Sequence, residues 1–173
     1  MYVDILILAC LRAGPAHGYE IKKRVERIVG GDAPLNNNLL YPALKRFEGA
    51  GAVARAEGPG RPDRRVYRLT DRGETTLHTL LRTFTPELAR DEAEFLTRVA
   101  SFHLLDVPTR LRILRTREVV LQGHLAHDED LLQEAEQVAH PGGPGVLQFK
   151  MRHIHQELAW IATLIDTTTE DRS

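Results

Sequence analysis

Three amides in a row, Asn36, Asn37 and Asn38, stand directly before the run "LLYPALKRF". Asparagine can pair bidentately with the adenine edge exposed in the major groove of DNA, and the first turns of a recognition helix are the part that reaches the bases. Tyr41 and Lys45 follow one and two turns further along. Further cations lie to either side. Lys22 and Lys23 come before, with Arg24 and Arg27, and Arg61, Arg64 and Arg65 come after, in "GRPDRR". Amides that read base edges, set among cations that meet phosphates, are what a sequence-specific duplex reader needs. The plainer reading makes one Asn a helix cap and the remaining groups a solvated surface.

Other chemistries find less support. His124 and His127 with Asp128, and His153 with His155, invite a metal reading. A zinc or nickel site needs ligands converging from several elements, and the i, i+2 spacing of the last pair sends them in different directions on a helix. There is no glycine-rich phosphate loop, since "HPGGPG" lacks the Lys-Ser/Thr and a preceding strand. The two serines, Ser101 and Ser173, sit in no nucleophile elbow. The acidic run "DED" (128–130) reads as a solvated helical face. No catalytic residue, metal ligand or cofactor is expected. Trp160, the only tryptophan, could stack on a flat effector, although an apolar anchor is the plainer role.

The 173 residues suffice for one ordinary domain, or a small domain with a helical extension. A net charge of −1 hides a split: residues 1–85 carry 14 Lys and Arg against 9 Asp and Glu, and residues 86–173 carry 9 against 15. The basic part is suited to a polyanion and the acidic part to a different partner. No apolar stretch reaches the roughly 18 to 20 residues that a membrane span needs. The opening "VDILILACL" is too short and lacks the basic lead-in of a secretory signal, so a cytoplasmic location is expected. Cys10, the single cysteine, lies inside that apolar run and reads as a buried small hydrophobe.

The elements that must position these groups follow from periodicity. Residues 3–13 read as a buried helix, "AGPAHG" (13–18) as a turn with Gly18 able to take positive φ, and "YEIKKRVERIV" as a second helix with Ile21, Val25 and Ile28 facing inward. "GGDAPL" breaks it. The amide-led stretch makes a third helix, with Leu40, Leu44 and Phe47 on one face. Pro42 favours a cap at Asn38, because a cap at Asn36 would set the proline deep in the helix. "AVARAE" and "RVYRLT" alternate at period two around a Gly/Pro/Arg tip and predict a β-hairpin. Three helices and a hairpin make a winged helix-turn-helix. "TDRGE" opens a fourth helix carrying Leu77, Leu80 and Leu81. Residues 86–104 read as helical, with Leu88, Phe95, Val99 and Phe102 spaced for one face. A long helix starts at Asp106 and runs to about 139. The last, 146–167, places Leu147, Met151, Ile154, Leu158, Ile161 and Ile165 at alternating steps of four and three. This seam either packs on the preceding helix of the same chain or joins two subunits.

"AHGYEIKKRVE", "LLYPALKRFEGAGAV" and "GRPDRRVYRLTDRGE" together resemble the PadR family of bacterial transcriptional regulators over roughly residues 3–82. The positions that carry the likeness are Gly14, His17, Gly18 and Tyr19, then Leu40, Tyr41, Pro42, Leu44 and Glu48, then Arg65, Tyr67, Leu69, Thr70 and Gly73. The resemblance implies a mainly α protein, with an N-terminal winged helix-turn-helix DNA-binding domain (1–83) and a C-terminal helical dimerisation and effector domain (84–173). The long C-terminal half fits the larger subgroup of that family. The resemblance also implies a homodimer on an operator, and repression relieved by a ligand, here a small hydrophobic or aromatic effector. A Ser/Thr-x-Gly-Thr pattern often precedes Leu-Tyr-Pro in that family, and "NNNL" replaces it here. That departure bears on the operator read and leaves the fold unaffected. The rival readings are a winged helix that docks on another protein and a metal-responsive sensor.

Overall fold

The computed structural model describes residues 1–29, 35–56, 65–137 and 143–170. It divides into two compact units, residues 1–83 with 96–105, and residues 84–95 with 106–173.

The first unit is built around α1 (Tyr2–Arg12), which is apolar on almost every side. Ile5, Leu6, Ile7, Leu8, Cys10 and Leu11 are all buried, because α1 packs on α2 (Gly18–Val29), α3 (Asn37–Gly49), the sheet and α4 (Asp71–Arg82). Burial pushes the Cys10 thiol up to about 11 from 9.0, with the Arg24 guanidinium pulling the other way to a smaller extent. Arg24 itself donates from Nη1 to the carbonyls of Cys10 and Gly14, each at 3.0 Å, and so serves the end of α1.

The wing strands are β2 (Val53–Ala56) and β3 (Val66–Leu69), paired antiparallel with Val53 opposite Leu69 and Arg55 opposite Tyr67. A third strand, β1 (Ala16–His17), adds to the other edge of β3, with Ala16 opposite Tyr67. The "AGPAHG" turn is therefore partly strand. Two residues are too few to show any alternation in the sequence.

Thr70 ties the root of the wing to α4. Its Oγ1 accepts from Gly73 N at 3.1 Å and donates to the Gly51 carbonyl at 2.7 Å, while its backbone N–H bonds the Ala52 carbonyl at 3.2 Å. Gly51, at φ 71°, ends α3 in the left-handed conformation.

Several expectations need correction. Gly18 does not take positive φ; it opens α2 in helical conformation, and the left-handed turn falls instead on Gly14 at φ 135°. Ile28 does not face inward but is 47% exposed, since the last turn of α2 runs past the packed part of the helix, whereas Ile21 and Val25 are fully buried. The cap of α3 is Asn36 and not Asn38: Asn36 Oδ1 accepts from Leu39 N at 3.1 Å, and Pro42 lies inside the helix. The missing donor leaves only the carbonyl of the exposed Asn38 without its helical partner, and water can serve it there.

Residues 86–104 do not form one helix. A 3-10 turn (Leu88–Arg90), α5 (Glu92–Ala100) and a second 3-10 turn (Phe102–Leu104) replace it. Asp91 restarts the chain, its Oδ1 accepting from Ala93 N at 2.8 Å. Within the first unit, Arg98 is fully buried and donates from Nη2 to the carbonyls of Leu80 (3.1 Å) and Thr83 (2.8 Å), at the end of α4.

The second unit is dominated by α6 (Val107–Gln137) and α7 (Gly143–Glu170), which pack along each other. They run antiparallel, because Lys150 meets Asp128 at 3.4 Å while Arg117, earlier on α6, meets Glu157, later on α7, at 2.7 Å. Asp106 starts α6 by accepting from Thr109 N at 2.8 Å. Phe95, Ile113, Leu114 and Ile161 have no exposed surface. Phe95 holds Trp160 edge-on at 6.1 Å and carries the Arg117 guanidinium 5.5 Å from its ring centre.

Candidate nucleic-acid interface

On α3 the periodicity that buries Leu40, Ala43, Leu44 and Phe47 leaves Asn36, Asn37, Asn38, Tyr41 and Lys45 exposed on the opposite side. Asn36 spends its side-chain oxygen on the cap, so Asn37 and Asn38 are the amides presented freely by the first turn. Tyr41 is 49% exposed, with its ring lying against Gly18 at the start of α2.

Two neighbouring cavities share Tyr41, Arg65 and Tyr67 in their walls. The larger, about 930 Å³, continues over α2 and adds His17, Tyr19, Lys23 and Arg27. The smaller, about 560 Å³, continues along α3 and adds Lys45, Glu48 and Arg55. A cationic surface thus runs from α2, across Tyr41 and the root of the wing, to the middle of α3. Lys23 sits 4.9 Å over the ring of Tyr19, which steadies its ammonium at the rim.

The cations on this side are not equivalent. Arg46 is paired with Asp4 at 2.5 Å, and Arg55 with Glu48 at 2.6 Å. Arg24 is committed to α1, and Lys22 is half-buried. Lys23, Arg27 and Lys45 are exposed, and no acid pairs with them among the described residues. Arg65 is exposed at the start of β3, where His17 Nδ1 lies 3.3 Å from its carbonyl and so acts as the donor. The His17 backbone N–H donates to Glu20 Oε2 at 2.8 Å, so His17 fastens the α2 entrance to the wing root. Arg61 and Arg64 lie outside the described residues.

Tyr19 and Tyr67 carry the family likeness but are not among the DNA contacts expected from the sequence. For Tyr19 the available signal was an aromatic four residues before Lys23 at the start of a helix otherwise apolar on its inner face only. Tyr67, on the alternation of a strand, is buried and forms the floor shared by both cavities.

The remaining candidates fall in the second unit. Of the seam, Ile161 is fully buried within the single chain, and Leu147, Met151, Ile154, Leu158 and Ile165 are half-buried. Trp160 is 39% exposed beside Phe95. Asp128 is paired with Lys150, His155 Nδ1 donates to the Met151 carbonyl at 2.8 Å, and His153 packs on Phe149 at 4.4 Å. Among the described residues no three His, Cys, Asp or Glu side chains gather in a metal-binding group. None of the described helices is long and apolar enough to cross a membrane.

Residues 7–79 match the family model described as the transcriptional regulator PadR-like family. No curated protein matches the chain. Among solved structures, a transcriptional regulator from Clostridium thermocellum is 32% identical over 45% of this chain and 77% of that one, with a TM-score of 0.42. PadR of Bacillus subtilis in complex with operator DNA is 19% identical over 95% of this chain and 97% of that one, with a TM-score of 0.45. The same Bacillus subtilis protein in complex with p-coumaric acid is 19% identical over 97% of this chain and 96% of that one, with a TM-score of 0.42.

Proposed function

We propose that the chain, whose residues 7–79 place its N-terminal module in the PadR-like family of transcriptional regulators, binds an operator as a homodimer and represses transcription until a small hydrophobic or aromatic effector releases it. The observation that carries this reading is the continuous surface centred on Tyr41 and Arg65, flanked by Lys23 and Lys45. Helix α3 lies in the major groove, Asn37, Asn38 and Tyr41 face the bases, and Lys23, Lys45 and Arg65 face phosphates. Arg61 and Arg64 extend the phosphate contacts from the wing tip. Asn36 contributes by fixing the first turn.

Residues 1–83 are the DNA-binding part and residues 84–173 the dimerisation and effector part. Two copies place their recognition helices about 34–36 Å apart, one turn of the duplex. The heptad seam of α7 supports dimerisation where single-chain packing leaves it half-exposed, and Val146 and Phe149, 62% and 55% exposed, extend the apolar surface at the start of that helix. Trp160 supports the effector role as a partly exposed aromatic beside a buried one. The protein works in the cytoplasm, without catalytic residues or cofactor.

The test is selection of genomic DNA by the purified protein, followed by titration of the enriched fragment against random duplex. A preference of about a thousandfold or more at moderate salt is expected of a specific regulator. Equal affinity for both would reject the reading.

A further inference from the structure

Gly18 opens α2 with an ordinary helical backbone, so nothing in its own conformation calls for glycine. Glycine in a helix is less favourable than alanine, because it loses more conformational freedom on folding. The reason for it lies across the groove. A methyl group on Gly18 would stand 3.0 Å from Tyr41 Oη, 3.2 Å from Cε1 and 3.3 Å from Cζ. One edge of the tyrosine ring, from its ortho-hydroxyl carbon to the hydroxyl, therefore rests on the bare backbone of α2. All three contacts fall on a single side chain.

Tyr41 belongs to α3, yet the place of its hydroxyl is set by α2. Its ring is half in solvent and stands between the two cavities of the cationic surface. A ring so placed can yield to a methyl group by shifting a few tenths of an ångström toward solvent. A hydrogen bond to a base edge fails when its geometry is altered, while attraction between cations and phosphates tolerates the change.

We infer that Gly18 is a positioning residue for Tyr41 and thereby a determinant of sequence specificity: its missing side chain seats the tyrosine ring so that the hydroxyl meets one base step. The inference rests on the DNA-binding reading above. It implies that the start of α2 sets the reach of a side chain on α3, so that the two helices share one reading surface.

The test is Gly18→Ala, alone and with Tyr41→Ala, on the full chain. Gly18→Ala is expected to fold, with a thermal midpoint equal to or above that of the parent. It should lower affinity for the selected operator about five- to tenfold and leave affinity for random duplex unchanged. In the Tyr41→Ala background the same change should cost nothing further, because the ring it displaces is gone. Independent of DNA, tyrosine-ring NMR should show the Tyr41 resonances moved by Gly18→Ala, with Tyr2 as the unmoved reference.

Unmoved Tyr41 resonances would overturn the inference, as would a loss of operator affinity that persists without Tyr41. Failure of Gly18→Ala to fold would overturn it too, since the ring could then not yield. Absence of operator preference in the parent protein would reject the DNA-binding reading itself. If in that case the ring still moves, the seating stands and only its role in specificity is lost.

Discussion

Arg117 on α6 grips Glu157 on α7 with two prongs, Nε 2.7 Å from Oε1 and Nη2 2.9 Å from Oε2, while its Nη1 donates to the carbonyl of Ala89. The arginine side chain is 5% exposed and the glutamate 19%, so the guanidinium has left water and depends on a half-buried carboxylate for its charge partner. Removing one partner strands a buried charge, which costs more than the pair contributes. Glu157→Ala should lower stability by about 3–5 kcal/mol. Replacing both, as Arg117→Met with Glu157→Leu, should recover most of that loss. Urea unfolding of the three proteins checks the order; a double variant no more stable than the single one would contradict it.

Two glycines predict opposite outcomes on substitution by alanine. At Gly73 a methyl group would run into the Ala52 carbonyl oxygen and lie 2.5 Å from Leu69 Cδ1, where α4 meets the wing root. Backbone cannot move aside cheaply, so Gly73→Ala should destabilise by about 3 kcal/mol or more, the upper range for an overpacked site. At Gly123, inside α6, a methyl group would meet nothing within 4 Å beyond its own helix among the described residues. Gly123→Ala should stabilise by about 0.8–1 kcal/mol through helix propensity alone. Thermal melts of both variants decide the matter.

Lys45 and Arg46 are adjacent in sequence and should differ sharply in binding. Arg46 holds Asp4, whereas Lys45 stands exposed in the wall of the smaller cavity. Lys45→Ala should lower the slope of log affinity against log salt by about 0.9, the value for one phosphate neutralised. Arg46→Ala should leave that slope nearly unchanged and reduce stability slightly. Anisotropy titrations between low and moderate salt read both slopes; equal changes would place the two cations in the same role.

Burial holds the Cys10 thiol protonated, with its pKa raised to about 11. The native protein at pH 8 should therefore resist a thiol-directed reagent and react fully once unfolded in guanidinium. Because the folded value is the higher one, this thiol contributes stability that is complete below about pH 9. That contribution declines as pH rises through 11. Thermal midpoints across this interval should fall more steeply for the parent than for Cys10→Ala.

The exposed face of α3 was legible where a period and a residue type coincided. Leu40, Leu44 and Phe47 fixed the inward face of α3, and that alone turned Asn37, Asn38, Tyr41 and Lys45 outward. The cap falls at Asn36 and not Asn38 because a proline deep in the helix costs little where the carbonyl it deprives belongs to an exposed residue. The pairings Arg46 with Asp4 and Arg24 with the α1 carbonyls join residues 42 and 10 to 14 positions apart, and no local pattern encodes them. For the same reason the sequence could not distinguish the cations that are free from those already occupied. The break at Asp91 was hidden by apolar spacing that continued through it, since periodicity reports which side is buried and not whether the backbone is continuous.

Arg98 adds one consequence for how this polypeptide can be cut and recombined. The carbonyls at the end of α4 are served by a guanidinium that the chain delivers only fifteen residues after Thr83. Trimming the polypeptide at that point would remove the donor together with residues 96–105, which pack with the portion retained. A workable excision would extend through Leu105, or else bring the donor back by another route. The boundary of the portable module is thus drawn in space by a single side chain and cannot be located by where the strands and helices stop.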